Sequence, residues 1–352
     1  MDIIPKEMRA VVLTGLGGPE MLSYRENVPV PRPGPGEVLI RVHAAGINNT
    51  DINTRTGWYS KGDRNAQDAS WSGNALRFPR IQGADVCGEI AAVGPGVPHS
   101  RIGERILIEP SLREAGGRDL AAPWYFGSEC DGGFAEYTVV ASRHAHAVRS
   151  PLSSVELGSF PCSYSTAENM LARSGVEEGD RVLITGASGG VGSAAIQLAK
   201  ARGAHVVAAT SPAKSDALRS LGADETIGRD VDSIAALGRH SIDAVVDLVA
   251  GPAWPVLLDV LRPGGRYAVS GAIAGPLVEL DVRTLYLKDL SLFGCTVLDP
   301  EIFGNLVSYI EARRIAPLVA RVFPLEEIAA AQATFETKEH VGKIVLAIAD
   351  ST

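Results

Sequence analysis

The spacing of apolar residues changes near residue 150. Before it, apolar or alternating runs are short and separated by glycine and proline turns. Met8–Thr14, Val38–Ala44, Val86–Val93, Arg105–Ile108 and Phe134–Val140 read as strands, because a period of two puts alternate side chains on one sheet face. Gly94-Pro95-Gly96 and Gly103-Glu104 mark turns, and Pro29–Glu37 is a proline-rich connection. This pattern predicts an all-β module over residues 1 to about 150. A polar cluster at Ile47–Thr56 and two long irregular stretches, Trp58–Pro79 and Arg113–Asp131, interrupt it.

After Pro151 strands alternate with helices. Val155–Leu157 and Thr166–Arg173 have helical spacing. Strands follow at Arg181–Thr185, His205–Thr210, Glu225–Ile227, Ala244–Val249, Gly265–Ser270 and Leu290–Thr296, with helices at Val191–Arg202, Lys214–Leu221 and Trp254–Leu261 between them. That order predicts an α/β doubly wound parallel sheet. The tail carries a helix at Glu301–Ala312, a strand around Ala320–Phe323, a helix at Leu325–Glu336 and a last strand at Lys343–Ala347.

The stretch RVLITGASGGVGSAAIQLAK, residues 181–200, organises the second half. Strand, glycine turn and helix in that order make a phosphate-binding reading credible. A helix N-terminus offers unpaired N–H groups and the positive end of a dipole. Gly189 and Gly190 let the backbone approach an anion, and Gly192 lets the helix pack against the strand. The fingerprint is incomplete, since Ala187 stands where the first glycine is usual. An NAD site places Asp or Glu at the end of the next strand, on the ribose 2′-hydroxyl. Here that position holds Ala209 or Thr210, followed by Ser211 and Lys214. Hydroxyls and a cation suit a 2′-phosphate, and Arg229 adds a guanidinium, so NADP(H) is the expected cofactor. The competing reading is a lysine on a solvated helix face and an arginine in a loop.

Composition narrows the class. The 352 residues carry a net charge of −8 with lysines and arginines scattered, which argues against a nucleic-acid surface. No apolar run reaches the ~18 residues of a membrane span, and the start has no apolar signal core. Cys87, Cys130, Cys162 and Cys295 are far apart in sequence, which fits a reducing, cytoplasmic setting rather than a disulfide framework. His144-x-His146 has metal spacing but is expected to face solvent at a strand–loop junction. Asp51 is expected to fix its loop by hydrogen bonding.

Several stretches resemble the medium-chain dehydrogenase/reductase superfamily: PGPGEVLIRVHAAGINNTD (33–51), GADVCGEIAAVGPGV (83–97), GERILI (103–108), DGGFAEYTVV (131–140), STAENML (165–171), GDRVLITGASGGVG (179–192), LGAD (221–224) and GKIVL (342–346). They run in order along essentially the whole chain. The resemblance implies a GroES-like, β-rich substrate domain over 1–155, a Rossmann NADP-binding domain over 156–297, and a return to the substrate domain over 298–352, with the active site in the cleft. Zinc alcohol dehydrogenases place a Cys ligand where this chain has Asn48 and a His ligand where it has Ala84; the Glu after that His is Asp85 here. Asn and Ala cannot replace a thiolate and an imidazole at a tetrahedral site, so no metal is expected. Asn48-x-x-Asp51 instead resembles the zinc-free quinone oxidoreductase branch, which includes zeta-crystallin-like enzymes.

The resemblance also implies roles for residues. Ser188, Gly189, Gly190, Val191 and Gly192 would bind pyrophosphate. Lys214, with Thr210 and Ser211, would hold the 2′-phosphate, and Arg229 falls where some members use a Tyr for the same anion. Asn48 and Thr166 would lie near the nicotinamide. Val249, Ser270-Gly271-Ala272 and Phe293-Gly294-Cys295 would line the groove, though plain packing explains these equally well. Lys343 would approach the cofactor from the C-terminal return.

Without a Lewis acid, hydride from NADPH suits an acceptor that is already electrophilic, a quinone or an α,β-unsaturated carbonyl. Charge then builds on a carbonyl oxygen, and Asn48 and Tyr59 are the nearest catalytic donors in sequence. The alternatives are a non-catalytic NADPH-binding protein and an alcohol dehydrogenase with atypical metal ligands. Two insertions, roughly 60–77 and 111–128, depart from short quinone reductases; they either cap the pocket or vary at the solvent face. Relatives often pair their last Rossmann strands, so Ser291–Val297 is expected to form a homodimer edge.

Overall fold

A computed structural model describes residues 4–62 and 66–349. The chain forms two compact units, residues 1–162 with 317–352, and residues 163–316. The expected boundaries were 155 and 297. The difference arises because the tail of the second unit is tied to that unit. Helix Ile302–Glu311 buries Ile302, Phe303, Leu306 and Ile310, and Ala316 N donates to Gln197 Oε1 at 2.8 Å.

The first unit is built on strand Glu37–Gly46, which pairs antiparallel with Cys87–Val93, Tyr137–Ala141 and Lys343–Ala347. Arg105–Ile108 and Ala145–Ala147 extend the sheet at one edge, and Val319–Pro324 at the other. A smaller sheet holds Glu7–Leu13 between Leu22–Pro29 and Arg80–Ile81. The inward residues of both sheets, among them Val11, Ile40, Val42, Val86, Ile106, Phe134 and Leu346, make one core. Val345 lies opposite Gly46 and Ala347 opposite Ala44. That register brings Lys343 back to Ile47 and Asn48, 295 residues away in sequence.

Three expectations in this unit are corrected. The polar cluster at Ile47–Thr56 is a helix from Asn49 to Thr56. It has few apolar residues, so periodicity could not reveal it; the Asn48/Asp51 capping box starts it and Gly57, at φ 69°, stops it. The stretch 113–131 is not irregular throughout, because Ser111–Ala115 and Arg118–Tyr125 form an antiparallel hairpin. Of the pair His144-x-His146, His144 does not face solvent and His146 is half-buried. His144 is 1% exposed, its Nδ1 lies 2.9 Å from Glu109 Oε2, and His146 Nε2 lies 3.3 Å from the same oxygen. His144 Nε2 accepts the backbone N–H groups of Arg113 and Glu114, so the histidine holds the hairpin.

The second unit is a six-stranded parallel sheet. Its order is Glu225–Gly228, His205–Thr210, Arg181–Ile184, Ile242–Asp247, Leu261–Val269 and Ser291–Gly294. This is the doubly wound order with its switch point between the first and fourth strands of the unit, as the alternating pattern predicts. Strand interiors such as Val182–Ile184 and Val206–Ala208 are fully buried, as parallel sheets covered on both faces require. Among the described residues, no helix is long and apolar enough to cross a membrane.

Candidate active site

In the first unit, strand Glu37–Gly46 delivers the chain to a buried polar knot. Gly46 must be glycine, since a Cβ there would lie 2.4 Å from Asp85 Oδ2 and 2.8 Å from Gly158 O. Asn48 follows. Its backbone N–H donates to Asp51 Oδ2 at 2.8 Å, and its side-chain amide donates to Asp85 Oδ2 at 2.8 Å and Gly46 O at 3.3 Å. Asp85 is fully buried, and its second oxygen accepts the backbone N–H of Cys162. Lys343 Nζ donates to Asp85 Oδ2 at 2.8 Å, to Ile47 O at 2.9 Å and to Asn48 Oδ1. An ammonium has three donors, so Lys343 is saturated within this knot.

Asp51 does hold its loop. It accepts the N–H groups of Asn48 and Gly83, at 2.8 and 3.2 Å, while its carbonyl accepts Gln82 Nε2. Burial pushes its carboxyl up to about 7 against the Asn48 N–H bond, and the nearby Asp85 charge adds to the rise. Tyr59 lies one turn past the helix, its hydroxyl donating to Thr50 Oγ1 at 3.0 Å. Burial raises its phenol to about 12 despite the Thr50 bond, so it is a neutral donor at physiological pH.

These residues do not fit a zinc ion. Ala84 offers no donor, Asn48 offers an amide already engaged, and Asp85 is committed to a lysine, an amide and a backbone N–H. Burial also lifts the Cys162 thiol to about 12, which keeps it protonated. Among the described residues, no three His, Cys, Asp or Glu side chains are grouped to hold a metal.

In the second unit, the expected cofactor residues gather at one edge of the sheet. Ser188–Gly192 follow the first strand, Thr210 and Ser211 end and follow the second, and Arg229 follows the third. Val249 follows the fourth strand, Ser270-Gly271-Ala272 the fifth, and Cys295 the sixth, after Phe293 and Gly294. All lie at the carboxyl ends of parallel strands, where open α/β sheets bind ligands. Gly189 caps the helix Gly190–Ala201. At Gly192 a Cβ would meet Gly186 O at 2.4 Å, and at Gly271 it would meet Leu248 O at 2.8 Å, so both glycines serve close backbone approach.

Lys214 Nζ reaches Ser188 Oγ at 3.4 Å, which places its ammonium over the glycine turn. The Thr210 hydroxyl is buried without a hydrogen-bond partner. The Arg229 side chain is 72% exposed beside Asp230, and its backbone N–H bonds Thr210 O at 3.0 Å. The second strand is thus followed by the Ser211 hydroxyl and the Lys214 ammonium, and the third by Arg229 with Asp230 beside it. Thr166 is half-buried on helix Pro161–Arg173. Cys295 is 1% exposed, its thiol raised to about 11 by burial.

Sequence reasoning missed the partners of the knot. Asp85 stands out in sequence only as the replacement of a Glu, and nothing near Lys343 in sequence names its acceptors. Tyr125, Cys162 and Trp71 were also missed, because they belong to elements whose pairing is not local.

Residues 34–150 match the family model described as the alcohol dehydrogenase GroES-like domain, and residues 190–312 the one described as zinc-binding dehydrogenase. The human quinone oxidoreductase is 30% identical over 340 residues, covering 93% of each chain. An NADPH-dependent alkenal/one oxidoreductase, chloroplastic, of Arabidopsis thaliana is 30% identical over 348 residues, 97% of this chain and 80% of that one. A crystal structure from Sinorhizobium meliloti 1021, provisionally assigned as an alcohol dehydrogenase, superposes with a TM-score of 0.91 at 47% identity over 98% of both chains.

A GroES-like unit joined to a Rossmann unit, with this glycine turn, defines an oxidoreductase of a class that binds nicotinamide cofactors and acts on small molecules. The chain belongs to the medium-chain dehydrogenase/reductase superfamily, on its quinone oxidoreductase branch.

Proposed function

We propose that this protein is an NADPH-dependent, zinc-independent reductase of quinones or α,β-unsaturated carbonyls. The observation that carries the reading is the closed Asn48–Asp85–Lys343 knot, in which Asn48, at the position of a zinc relative's Cys ligand, is tied to a buried ion pair. A site without a Lewis acid needs an acceptor that is already polarised. Lys214 over Ser188 supports NADPH over NADH.

Bound NADPH would supply the hydride. The backbone of Ser188–Gly192 binds the pyrophosphate, and Lys214, Ser211 and Thr210 hold the 2′-phosphate, with Arg229 as the outer cation. Thr166 is assigned to the nicotinamide and Val249, Ser270-Gly271-Ala272 and Phe293-Gly294-Cys295 to the groove. Lys343 acts at one remove, by fixing the Asn48 amide. Tyr59 donates a hydrogen bond to the acceptor oxygen as negative charge develops there, while the Thr50 hydroxyl turns to donate to Tyr59. The phenol stays protonated because of its raised pKa, so it stabilises charge rather than ionising.

The protein is further proposed to be a homodimer. Among the described residues, Ser291–Gly294 is an edge strand of its sheet, and Leu277, Tyr286, Leu287 and Leu292, near it in sequence, are exposed. Light scattering after size exclusion tests this, and a monomer contradicts it.

The activity is tested by following NADPH and NADH oxidation with quinone and enone acceptors, with and without a chelator. NADPH turnover that the chelator leaves intact supports the reading. NADPH binding without turnover identifies a binding protein. Activity that the chelator removes and zinc restores identifies an alcohol dehydrogenase, the description given to the Sinorhizobium structure.

A further inference from the structure

The two insertions meet. Trp71, from the first, stacks on Tyr125, from the hairpin of the second, with ring centroids 5.0 Å apart and planes 26° from parallel. Backbone bonds lock the contact: Trp71 N–H donates to Ser128 Oγ at 2.9 Å, Ser72 N–H to Glu129 Oε1 at 2.8 Å, and Tyr125 N–H to Glu129 Oε2 at 2.8 Å. One carboxylate therefore clamps both insertions. Below the stack, the Tyr125 hydroxyl lies 3.1 Å from Cys162 Sγ, and Tyr125, Cys162 and Ala84 form one apolar cluster with Trp71 against it.

This cluster adjoins the knot. Ala84 precedes Asp85 in the chain, and Cys162 donates its backbone N–H to Asp85. The small side chain at Ala84 leaves room that the Tyr125 ring takes, and Trp71 covers that ring. Tyr125 is 5% exposed and Trp71 half-buried. Neither ring is solvent-facing variation.

We infer that Trp71 and Tyr125 form an aromatic wall, assembled from both insertions, that limits the size of the acceptor admitted beside Asn48 and Tyr59. The inference rests on the proposed reductase activity and deepens it: the preferred acceptors are small quinones and short enones. Trp71 and Tyr125 are specificity-determining residues. Tyr125 acts through its ring, which the Trp71 stack and the packing on Ala84 and Cys162 hold in place.

The test compares 1,4-benzoquinone with 9,10-phenanthrenequinone. The wild type, Trp71→Ala and Tyr125→Phe are assayed with NADPH, and NADPH affinity is measured for each as a check on folding. Trp71→Leu serves if Trp71→Ala is unstable. Truncating Trp71 is expected to raise the bulky-to-small ratio of kcat/KM at least about tenfold, the scale on which added room in an apolar pocket discriminates. Tyr125→Phe, which keeps the ring, is expected to hold that ratio within about twofold. A Trp71 variant with normal NADPH affinity and an unchanged ratio overturns the wall. A wild type inactive with both quinones contradicts the reductase reading instead. The same ratio, measured as quinone affinity by ligand-observed NMR, then decides the wall: a relative gain for the bulky quinone in the Trp71 variant supports it, and no gain overturns it.

Discussion

Lys343→Met isolates the buried charge pair. Lys343 is 2% exposed and Asp85 fully buried, so the substitution leaves a carboxylate sealed from water with its cation gone. Asp85 keeps the Asn48 amide and the Cys162 N–H, which moderates the loss but supplies no full charge. Breaking a buried pair from one side costs about 3–5 kcal/mol. The unit that contains the pair has about 200 residues, a size at which each kcal/mol moves a melting transition by roughly 2–4 °C. The expected shift is therefore roughly 6–20 °C, confined to the transition of the first unit and read by scanning calorimetry. Adding Asp85→Asn removes the stranded charge and is expected to return part of the loss. A Lys343→Met protein that melts within about 2 °C of wild type would refute the reasoning. So would a double variant less stable than the sum of the single ones, because the pair would then not be the source of the cost.

Two carboxylates set opposite pH dependences in the same unit. Asp51, raised by burial to about 7 from an ordinary 3.8, holds its proton where the unfolded chain has released it. Stability should fall as pH rises from about 4 to about 7, by at most about 4 kcal/mol, and Asp51→Asn should flatten that slope. Burial alone would push Glu109 up, but the bonds from His144 and His146 outweigh it and bring it down to about 2 from 4.5. Its contribution, about 3 kcal/mol, is present above pH 4.5 and lost between 4.5 and 2; Glu109→Gln should remove this acid-limb loss. Chemical denaturation across pH 2–8 measures both, and a variant with the wild-type profile contradicts its assignment. Tyr59→Phe should lower kcat about 100-fold with NADPH affinity unchanged; an unaltered kcat removes Tyr59 from the mechanism.

The second unit was legible because its grammar is local. One buried strand, a glycine turn and a helix start are contiguous, and each following strand end is a short step further on. The first unit was legible in its strands and less so in its site. Helix Asn49–Thr56 was hidden because it is polar and is set by a cap rather than a stripe. The hairpin 111–125 was hidden because its register depends on His144 receiving two N–H groups from a distant strand end. His144 itself read as exposed because spacing carries no information about a buried Glu109. Lys343 was singled out in sequence as a cofactor residue. Its acceptors at Asp85, Ile47 and Asn48 come from pairing between strands at opposite ends of the chain, which no local pattern encodes.

The proposed reductase needs NADPH held at the carboxyl end of the Rossmann sheet, with Lys214 on its 2′-phosphate. The direct measurement is a fluorescence titration of the wild type and Lys214→Ala with NADPH and with NADH. The account predicts tighter binding of NADPH, and loss of that preference in Lys214→Ala with NADH affinity nearly unchanged. Equal affinity for the two cofactors in the wild type, or a preference that survives in the variant, would contradict it.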